Sequence, residues 1–204
     1  MNIQSAFQMP STAIAKAISA RSSSITAAFV ASILPIFQPT DDEILQALRI
    51  LAMEPDNVRC AYCGDKSSEW DHLRPIVTDQ KPTGFISEIR NLVPACGKCN
   101  QSKGKNQWRQ WMLGSAKLSP KTREIADLNE RIERLESYEK WGNLMPIDFT
   151  TIVPPDLWQE HWSNMRRLHD DMKLAQDVAL RVRKAIADKI IQHNTAAEAD
   201  KSPR

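Results

Sequence analysis

The sequence predicts an α+β protein, in which a small core of short strands and one helix lies between a helical N-terminal extension and a long-helix C-terminal extension. Two observations predict this class. All four cysteines fall between residues 56 and 115, among short apolar runs bounded by turn residues. Apolar residues recur at helical spacing on both sides of that stretch. The predicted divisions are therefore a helical N-terminal extension (1–55), the core (56–115) and a helical C-terminal region (116–204).

Composition limits the class of protein further. Apolar residues make up 42% of the chain and charged residues 25%, which is typical of globular proteins and argues against a membrane protein or a disordered one. The apolar run at 26–37 contains Pro35 and is shorter than the roughly 20 residues that span a bilayer. It also lies too far into the chain for a signal peptide. We therefore expect a cytoplasmic protein without a membrane partner.

The first element with clear helix signals is the stretch "PTDDEILQALRILAM". Thr40 is a good N-cap residue, and the three acids that follow it at 41–43 suit the positive end of a helix dipole. Apolar residues then recur at helical spacing. The stretch predicts a short amphipathic helix that leads into Cys60.

Short segments predict the secondary structure of the core. The runs "HLRPIV" and "NLVP" are typical of strands, and "KPTG" at 81–84 predicts a turn. The stretch "GKCNQSKGKNQWRQWML" predicts one helix that ends near Gly114.

The C-terminal region is helical by its apolar spacing. One helix is predicted to begin after Pro120, and a second, from about 156 to 193, would be on the order of 55 Å long. Such a length favours either packing along one chain or pairing with a partner helix. A homodimer through the C-terminal helices is the second of these alternatives. The last residues, from Asn194, are expected to be disordered.

The cysteines form two Cys-x-x-Cys pairs, Cys60 with Cys63 and Cys96 with Cys99. Two such pairs match the ligand spacing of a tetrahedral four-thiolate zinc site, because two intervening residues let one turn donate both thiolates. Disulfides would need an exported chain, and a redox dithiol would need a thioredoxin-like context. The sequence therefore predicts Zn²⁺, and with four thiolates around it the zinc would be structural and not catalytic.

The loop between the two pairs carries an adjacent Asp71 and His72. A carboxylate suits a hard cation such as Mg²⁺, and an imidazole, with an ordinary pKa of about 6.5, suits a general base near neutral pH. An isolated Asp-His pair is weak support, since on a strand surface it also occurs without function. In a regular strand the two side chains would moreover point to opposite faces.

Polar residues at the far end of the same loop strengthen the hypothesis. Asn91 precedes the second cysteine pair, and Asn100 and Lys103 are three residues apart, on one face of the predicted helix. A cation could bridge Asp71 and Asn100, while Lys103 and Lys105 face phosphate.

The segments "CAYC", "WDHLRPI" and "NLVPACGKCNQSKG", in this order, resemble the HNH endonuclease family. The resemblance covers about residues 58 to 112, roughly a quarter of the chain. It implies a ββα-metal core, and the "WRQWM" that follows is similar to bacterial restriction-type HNH nucleases. A restriction or mobile-element nuclease is the role this similarity implies.

The resemblance also implies a role for each matching residue. His72 would activate water as general base, and Asp71 and Asn100 would ligate the catalytic cation, Mg²⁺ or another divalent ion. Asn91 would hold the loop that orients His72. The products would be DNA strands with 5′-phosphate and 3′-hydroxyl ends.

Charge supports DNA as the partner. The net charge is only +2, but seven basic residues and no acidic one fall between 98 and 123, and such a run can follow a phosphate backbone. A solvated basic face and a zinc-dependent nucleic-acid-binding protein without cleavage are the alternatives, as is a purely structural zinc scaffold. The residues predicted to bind DNA are Arg74, Arg90, Lys98, Lys103, Lys105 and Arg109.

Overall fold

The computed structural model describes the backbone of residues 17–199 and the side chains of 17–194. It contains short antiparallel sheets together with helices, which confirms the α+β class. The described residues divide into two compact units: residues 26–154, and a second unit that combines residues 17–25 with residues 155–199. Within the described range, no helix is both long and apolar enough to cross a membrane.

Within the described residues, two α-helices precede the core. Helix α1 runs from Ser22 to Ile33 and helix α2 from Asp41 to Leu51. The predicted cap of α2 is confirmed, because the Thr40 side chain accepts a hydrogen bond from the Glu43 backbone and the Glu43 side chain bonds back to the Thr40 backbone. This capping box satisfies two helix-end donors.

The core holds two small antiparallel sheets. Strand β1 (Glu69–His72) pairs with β4 (Leu92–Ala95), with Asp71 opposite Val93 and His72 opposite Leu92. The predicted "NLVP" strand is therefore confirmed. Strands β2 (Val77–Thr78) and β3 (Lys81–Pro82) form the second pair.

Two local predictions in this region are wrong. The "HLRPIV" run is not one strand, because β1 ends at His72 and Pro75, which has no N–H to donate, interrupts the pairing before β2. The turn lies at Asp79 and Gln80, whose φ angles are 50° and 63°, and not at "KPTG". Two consecutive positive φ values are those of a tight hairpin turn.

The helix predicted to reach Gly114 is two helices. Helix α3 runs from Gly97 to Lys103, and helix α4 runs from Trp108 to Met112. Gly104 ends α3 with a φ of 49°, a conformation that glycine adopts at little cost. The break allows Lys103 to be the last residue of α3.

Two further α-helices follow in the described part of the chain. Helix α5 runs from Leu128 to Gly142 and starts later than predicted, because Glu124 takes a left-handed φ of 54°. Helix α6 runs from Pro155 to Ala199. The predicted long helix is confirmed, and the predicted disorder from Asn194 is wrong as far as Ala199; the last five residues lie outside the described residues.

The core of the unit 26–154 draws on all three predicted segments. Leu51 from α2 and Leu135 from α5 are buried together with Tyr62, Leu73 and residues of α4. The rings of Tyr62 and Trp111 meet edge to face at 5.2 Å. Zinc-site, strand and helix residues thus share one apolar core, and the three-part division of the chain stays a prediction.

In the other unit, α6 contacts the 3-10 helix Ile18–Arg21, and the Ile18 backbone donates to the Gln176 side chain at 2.6 Å. Met165, Met172, Val182 and Ile186 recur at helical spacing and form one apolar stripe along α6. Met165 and Met172 are buried, whereas Val182 and Ile186 are more than half exposed. Packing within one chain therefore accounts for only the first part of the stripe.

Candidate zinc and nuclease site

The four cysteines form one buried cluster. The sulfur atoms of Cys60, Cys63, Cys96 and Cys99 all lie within 4.8 Å of one another, and those of Cys63 and Cys96 are 3.7 Å apart. A tetrahedral zinc with Zn–S bonds of about 2.3 Å separates its sulfur ligands by about 3.8 Å. Hydrogen bonds with Cys63 and Cys99 lower the pKa of Cys60, and hydrogen bonds with Cys60 and Cys63 raise the pKa of Cys99. The cluster therefore fits a structural zinc.

Two arginines that follow residue 115 in the sequence contact the four-cysteine cluster. The Arg123 guanidinium donates to Cys99 Sγ at 3.5 Å and to the Asp65 carboxylate at 2.8 Å. Arg131, in α5, donates to the Cys60 carbonyl at 3.2 Å. Outer partners of this kind orient metal ligands and balance their charge. Arg123, the last residue of the basic run at 98–123, thus contacts a cysteine sulfur.

Strand β1 presents its side chains alternately to two faces. Glu69 and Asp71 lie on the face covered by α3, where they contact Asn100 and Lys103. Trp70 and His72 lie on the opposite face. Asp71 and His72 therefore point to opposite faces of β1, as the alternation of a regular strand predicts.

Asp71 is 5% exposed and lies in a buried charged cluster. Its carboxylate accepts a hydrogen bond from Tyr62 Oη at 2.6 Å and pairs with Lys103 Nζ at 3.1 Å. Lys103 also donates to the His72 carbonyl at 2.8 Å. Burial raises the pKa of Asp71 and lowers the pKa of Lys103, and the attraction between the two charges opposes both shifts.

Asn100, which was predicted to share a cation with Asp71, hydrogen-bonds the carboxylate of Glu69. Its Nδ2 donates to Glu69 Oε2 at 2.6 Å, at an exposed edge of the site. Glu69 is thus a site residue that the sequence pattern did not predict. Its position two residues before Asp71, and so on the same strand face, is the signal that could have found it.

His72 is half-buried, and its Nε2 lies 2.8 Å from Ser87 Oγ. Burial, with a smaller contribution from the Lys103 charge, lowers the pKa of His72 to about 4. The imidazole is therefore neutral near pH 7, as a proton acceptor must be, although it is a weaker base than an unperturbed histidine.

Asn91 is fully buried and fixes the backbone around His72. Its Oδ1 accepts from the Arg74 N–H at 2.8 Å, and its Nδ2 donates to the carbonyls of Arg74 and Ile86 at 3.1 and 3.2 Å. These bonds connect the segment after β1 to the segment that carries Ser87. The bracing role that the resemblance implies for Asn91 stays a prediction.

Comparison with known proteins identifies the family that the segment carrying the cysteines, Asp71 and His72 resembles. Residues 60–106 match the family model described as HNH endonuclease. This part of the chain is an HNH endonuclease domain. The CRISPR-associated endonuclease Cas9 of Corynebacterium diphtheriae (strain ATCC 700971 / NCTC 13129 / Biotype gravis) is 29% identical over 105 residues, which are 50% of this chain and 9% of that protein. This chain therefore spans a small part of that relative, and no solved structure matches it.

The HNH domain holds oxygen donors on the α3-facing side of β1: the carboxylates of Glu69 and Asp71 and the amide of Asn100. Such donors fit a hard divalent cation such as Mg²⁺. Asp71, however, is held by Tyr62 and Lys103, and Asn100 bonds Glu69. A cation that bridges Asp71 and Asn100 stays a prediction.

The predicted DNA-binding residues from Lys98 to Arg109 divide into two sets. Lys98 and Lys105 are exposed, and Arg109 is exposed while it pairs with Glu136. Lys103 is fully buried against Asp71, so the prediction that it faces phosphate disagrees with the structure.

The two remaining arginines of the predicted set have partners on helices. Arg74 is 13% exposed, pairs with Glu139 of α5, and lies over the Phe85 ring. Arg90 pairs with Glu43 of α2 and lies over the Trp141 ring. Both cations therefore have roles in packing.

Proposed function

We propose that this protein is a metal-dependent endonuclease that hydrolyses DNA phosphodiester bonds and leaves 5′-phosphate and 3′-hydroxyl ends. The observation that carries the proposal is His72: a neutral imidazole, fixed at one nitrogen, on the first strand of an HNH endonuclease domain. A scaffold or a DNA-binding protein without cleavage has no need of an imidazole held in this way.

The chain's residues would act in a defined order. His72 accepts a proton from water, the resulting hydroxide oxygen bonds to phosphorus, and the bond from phosphorus to the 3′ oxygen breaks. That oxygen takes up a proton and leaves as a hydroxyl. A divalent cation, with Asp71 and Asn100 as ligands and Glu69 beside them, would neutralise the phosphate and stabilise the leaving oxygen. Asn91 keeps the backbone around His72 in place.

DNA as the substrate is supported by the exposed cations near α3. Lys98, Lys105 and Arg109 can neutralise phosphates, and each neutralised phosphate releases counterions. Binding should therefore weaken steeply as salt rises. Lys103 does not belong to this set, because its ammonium is buried.

The remaining predictions concern partners and biological role. A homodimer through α6 would cover the exposed apolar residues in its second half, among them Val178, Val182 and Ile186; sedimentation would measure it. The cytoplasmic location and the restriction or mobile-element role also stay predictions. Sequencing of cleaved DNA ends would reveal any recognition site.

A plasmid cleavage assay tests the proposal. The wild-type protein should nick or cut supercoiled DNA in Mg²⁺, Mn²⁺ or Ni²⁺ and lose this activity in EDTA, and the ends should be sealed directly by a ligase that needs a 5′-phosphate. Salt-sensitive DNA binding with no cleavage in any of the three metals would favour the binding protein instead.

A further inference from the structure

We infer that Ser87 is the positioning residue of the proposed nuclease: its hydroxyl accepts a hydrogen bond from His72 Nε2 and thereby leaves the lone pair at Nδ1 to take the proton from water. The inference rests on the proposed function, because Ser87 acts only through His72. No motif in the sequence points to Ser87, which lies 15 residues from His72.

In a neutral imidazole only one of the two nitrogens can accept a proton. One ring nitrogen carries a hydrogen and the other carries the lone pair. The Nε2 atom of His72 lies 2.8 Å from Ser87 Oγ, and which of the two donates depends on the tautomer of the ring. If Ser87 donated this bond, Nδ1 would carry the hydrogen and could not accept a proton. A base at this position therefore needs Nε2–H as the donor and Ser87 as the acceptor.

The same bond remains useful after proton transfer. Imidazolium carries a hydrogen on both nitrogens, so Nε2–H continues to donate to Ser87 while Nδ1 holds the new proton. Ser87 can therefore hold one ring orientation through the whole step. This is the orienting logic of a base whose second nitrogen is fixed by a third group.

The backbone of Ser87 is held from two sides. The carbonyl of Ile86, the preceding residue, accepts from Asn91 Nδ2 at 3.2 Å. The carbonyl of Ser87 itself accepts from the Phe37 N–H at 3.3 Å, within a parallel bridge between Ile36 and Ser87. Asn91 and the segment after α1 thus both fix the position of the Ser87 hydroxyl. This gives residues 36–37 a role in the site that their exposed side chains do not suggest.

The decisive test is the tautomer of His72, measured by ¹⁵N NMR on the full-length, zinc-loaded protein near neutral pH. The wild-type ring should be in the Nε2–H form, and Ser87→Ala should shift it to a mixture of the two tautomers. A wild-type ring in the Nδ1–H form would overturn the inference. So would a Ser87→Ala ring that keeps the pure Nε2–H form.

Steady-state cleavage supplies the second measurement. Ser87→Ala should lower kcat about tenfold, the effect of losing about 1.4 kcal/mol of transition-state stabilisation, with KM unchanged. Ser87→Thr keeps the hydroxyl and should restore most of the rate. An equal loss in both variants, or a change confined to KM, would contradict the positioning role. If the NMR result holds and the wild type cleaves no DNA, the proposed function fails while the contact between Ser87 and His72 stands.

Discussion

The two faces of β1 differ in exposure and in partners. On the face toward α3, Asp71 is 5% exposed and bound by Tyr62 and Lys103. On the other face, Trp70 is 62% exposed and His72 is half-buried beside Ser87. A four-residue strand thus separates charges that are buried and paired from an imidazole that is open to reaction. Asp71 and His72 are adjacent in sequence, yet they belong to different environments.

The largest expected effect concerns the zinc cluster behind α3. Cys99→Ser, or removal of zinc by a chelator, should unfold the unit 26–154, because structural zinc in small domains contributes about 10–16 kcal/mol. Metal analysis and thermal unfolding measure the effect. Lys98→Ala, a neighbouring exposed position in α3, is the matched control and should keep both zinc and fold. A Cys99→Ser protein that unfolds at the wild-type temperature would refute the structural role of the cluster.

The buried ion pair gives the next effect. Lys103→Ala should destabilise the protein by about 3–5 kcal/mol, because it leaves the Asp71 charge buried without a cation. Urea unfolding measures the loss. Lys105→Ala, at an exposed position, should change stability by less than about 0.5 kcal/mol.

A double variant sharpens this test. The double variant Asp71→Asn, Lys103→Met carries neither charge, so it should be more stable than the single variant Lys103→Ala. If the wild type, Lys103→Ala and the double variant all have the same free energy of unfolding, Lys103 is not paired with Asp71 in solution.

A smaller loss is expected at Asn91. Asn91→Ala removes a buried amide and leaves an N–H and two carbonyls of the backbone without this partner, which should cost about 2–3 kcal/mol. Cleavage should also fall, because the segments around His72 and Ser87 lose their connection. Gln110→Ala at an exposed site serves as the control. A variant with wild-type stability would show that water replaces the amide.

The smallest effect is expected at Arg123. Arg123→Gln removes the guanidinium near Cys99 Sγ and should weaken zinc binding about 10- to 100-fold, as loss of an outer partner does at other metal sites. Competition with a chromogenic chelator measures the affinity, and Lys121→Gln is the matched control on the same segment. Equal zinc affinity of the two variants would argue against a role for the Arg123 contact.

The local parts of the molecule were readable from the sequence. Cysteine spacing predicted the zinc cluster, and Thr40 predicted the start of α2, because both depend on residues a few positions apart. The strand pattern of "NLVP" and the long C-terminal helix were predicted for the same reason. The adjacent Asp-His pair and the polar residues after it gave Asp71, His72, Asn91 and Asn100 as candidates. Resemblance to a family implied a role for each, and those roles stay predictions.

The contacts that sequence reasoning missed join distant residues. Lys103 reaches Asp71 across 32 positions, Asn100 reaches Glu69 across 31, and Arg123 reaches Cys99 across 24. A lysine in a basic run gives no sign that its ammonium is buried, because burial is decided by the packing of α3 on β1. Ser87 likewise becomes significant only when the fold brings it to His72.

One measurement tests most directly the claim that His72, on the open face of β1, is the general base and that the fold does not depend on it. Single-turnover cleavage of a plasmid in Mg²⁺ would be compared for wild type and His72→Ala, with zinc content, unfolding temperature and DNA affinity determined on the same samples. His72→Ala should lose cleavage by about 10²–10⁴-fold, the usual contribution of a general base, with the other three properties unchanged. Cleavage at the wild-type rate, or a loss explained by unfolding, would contradict the account.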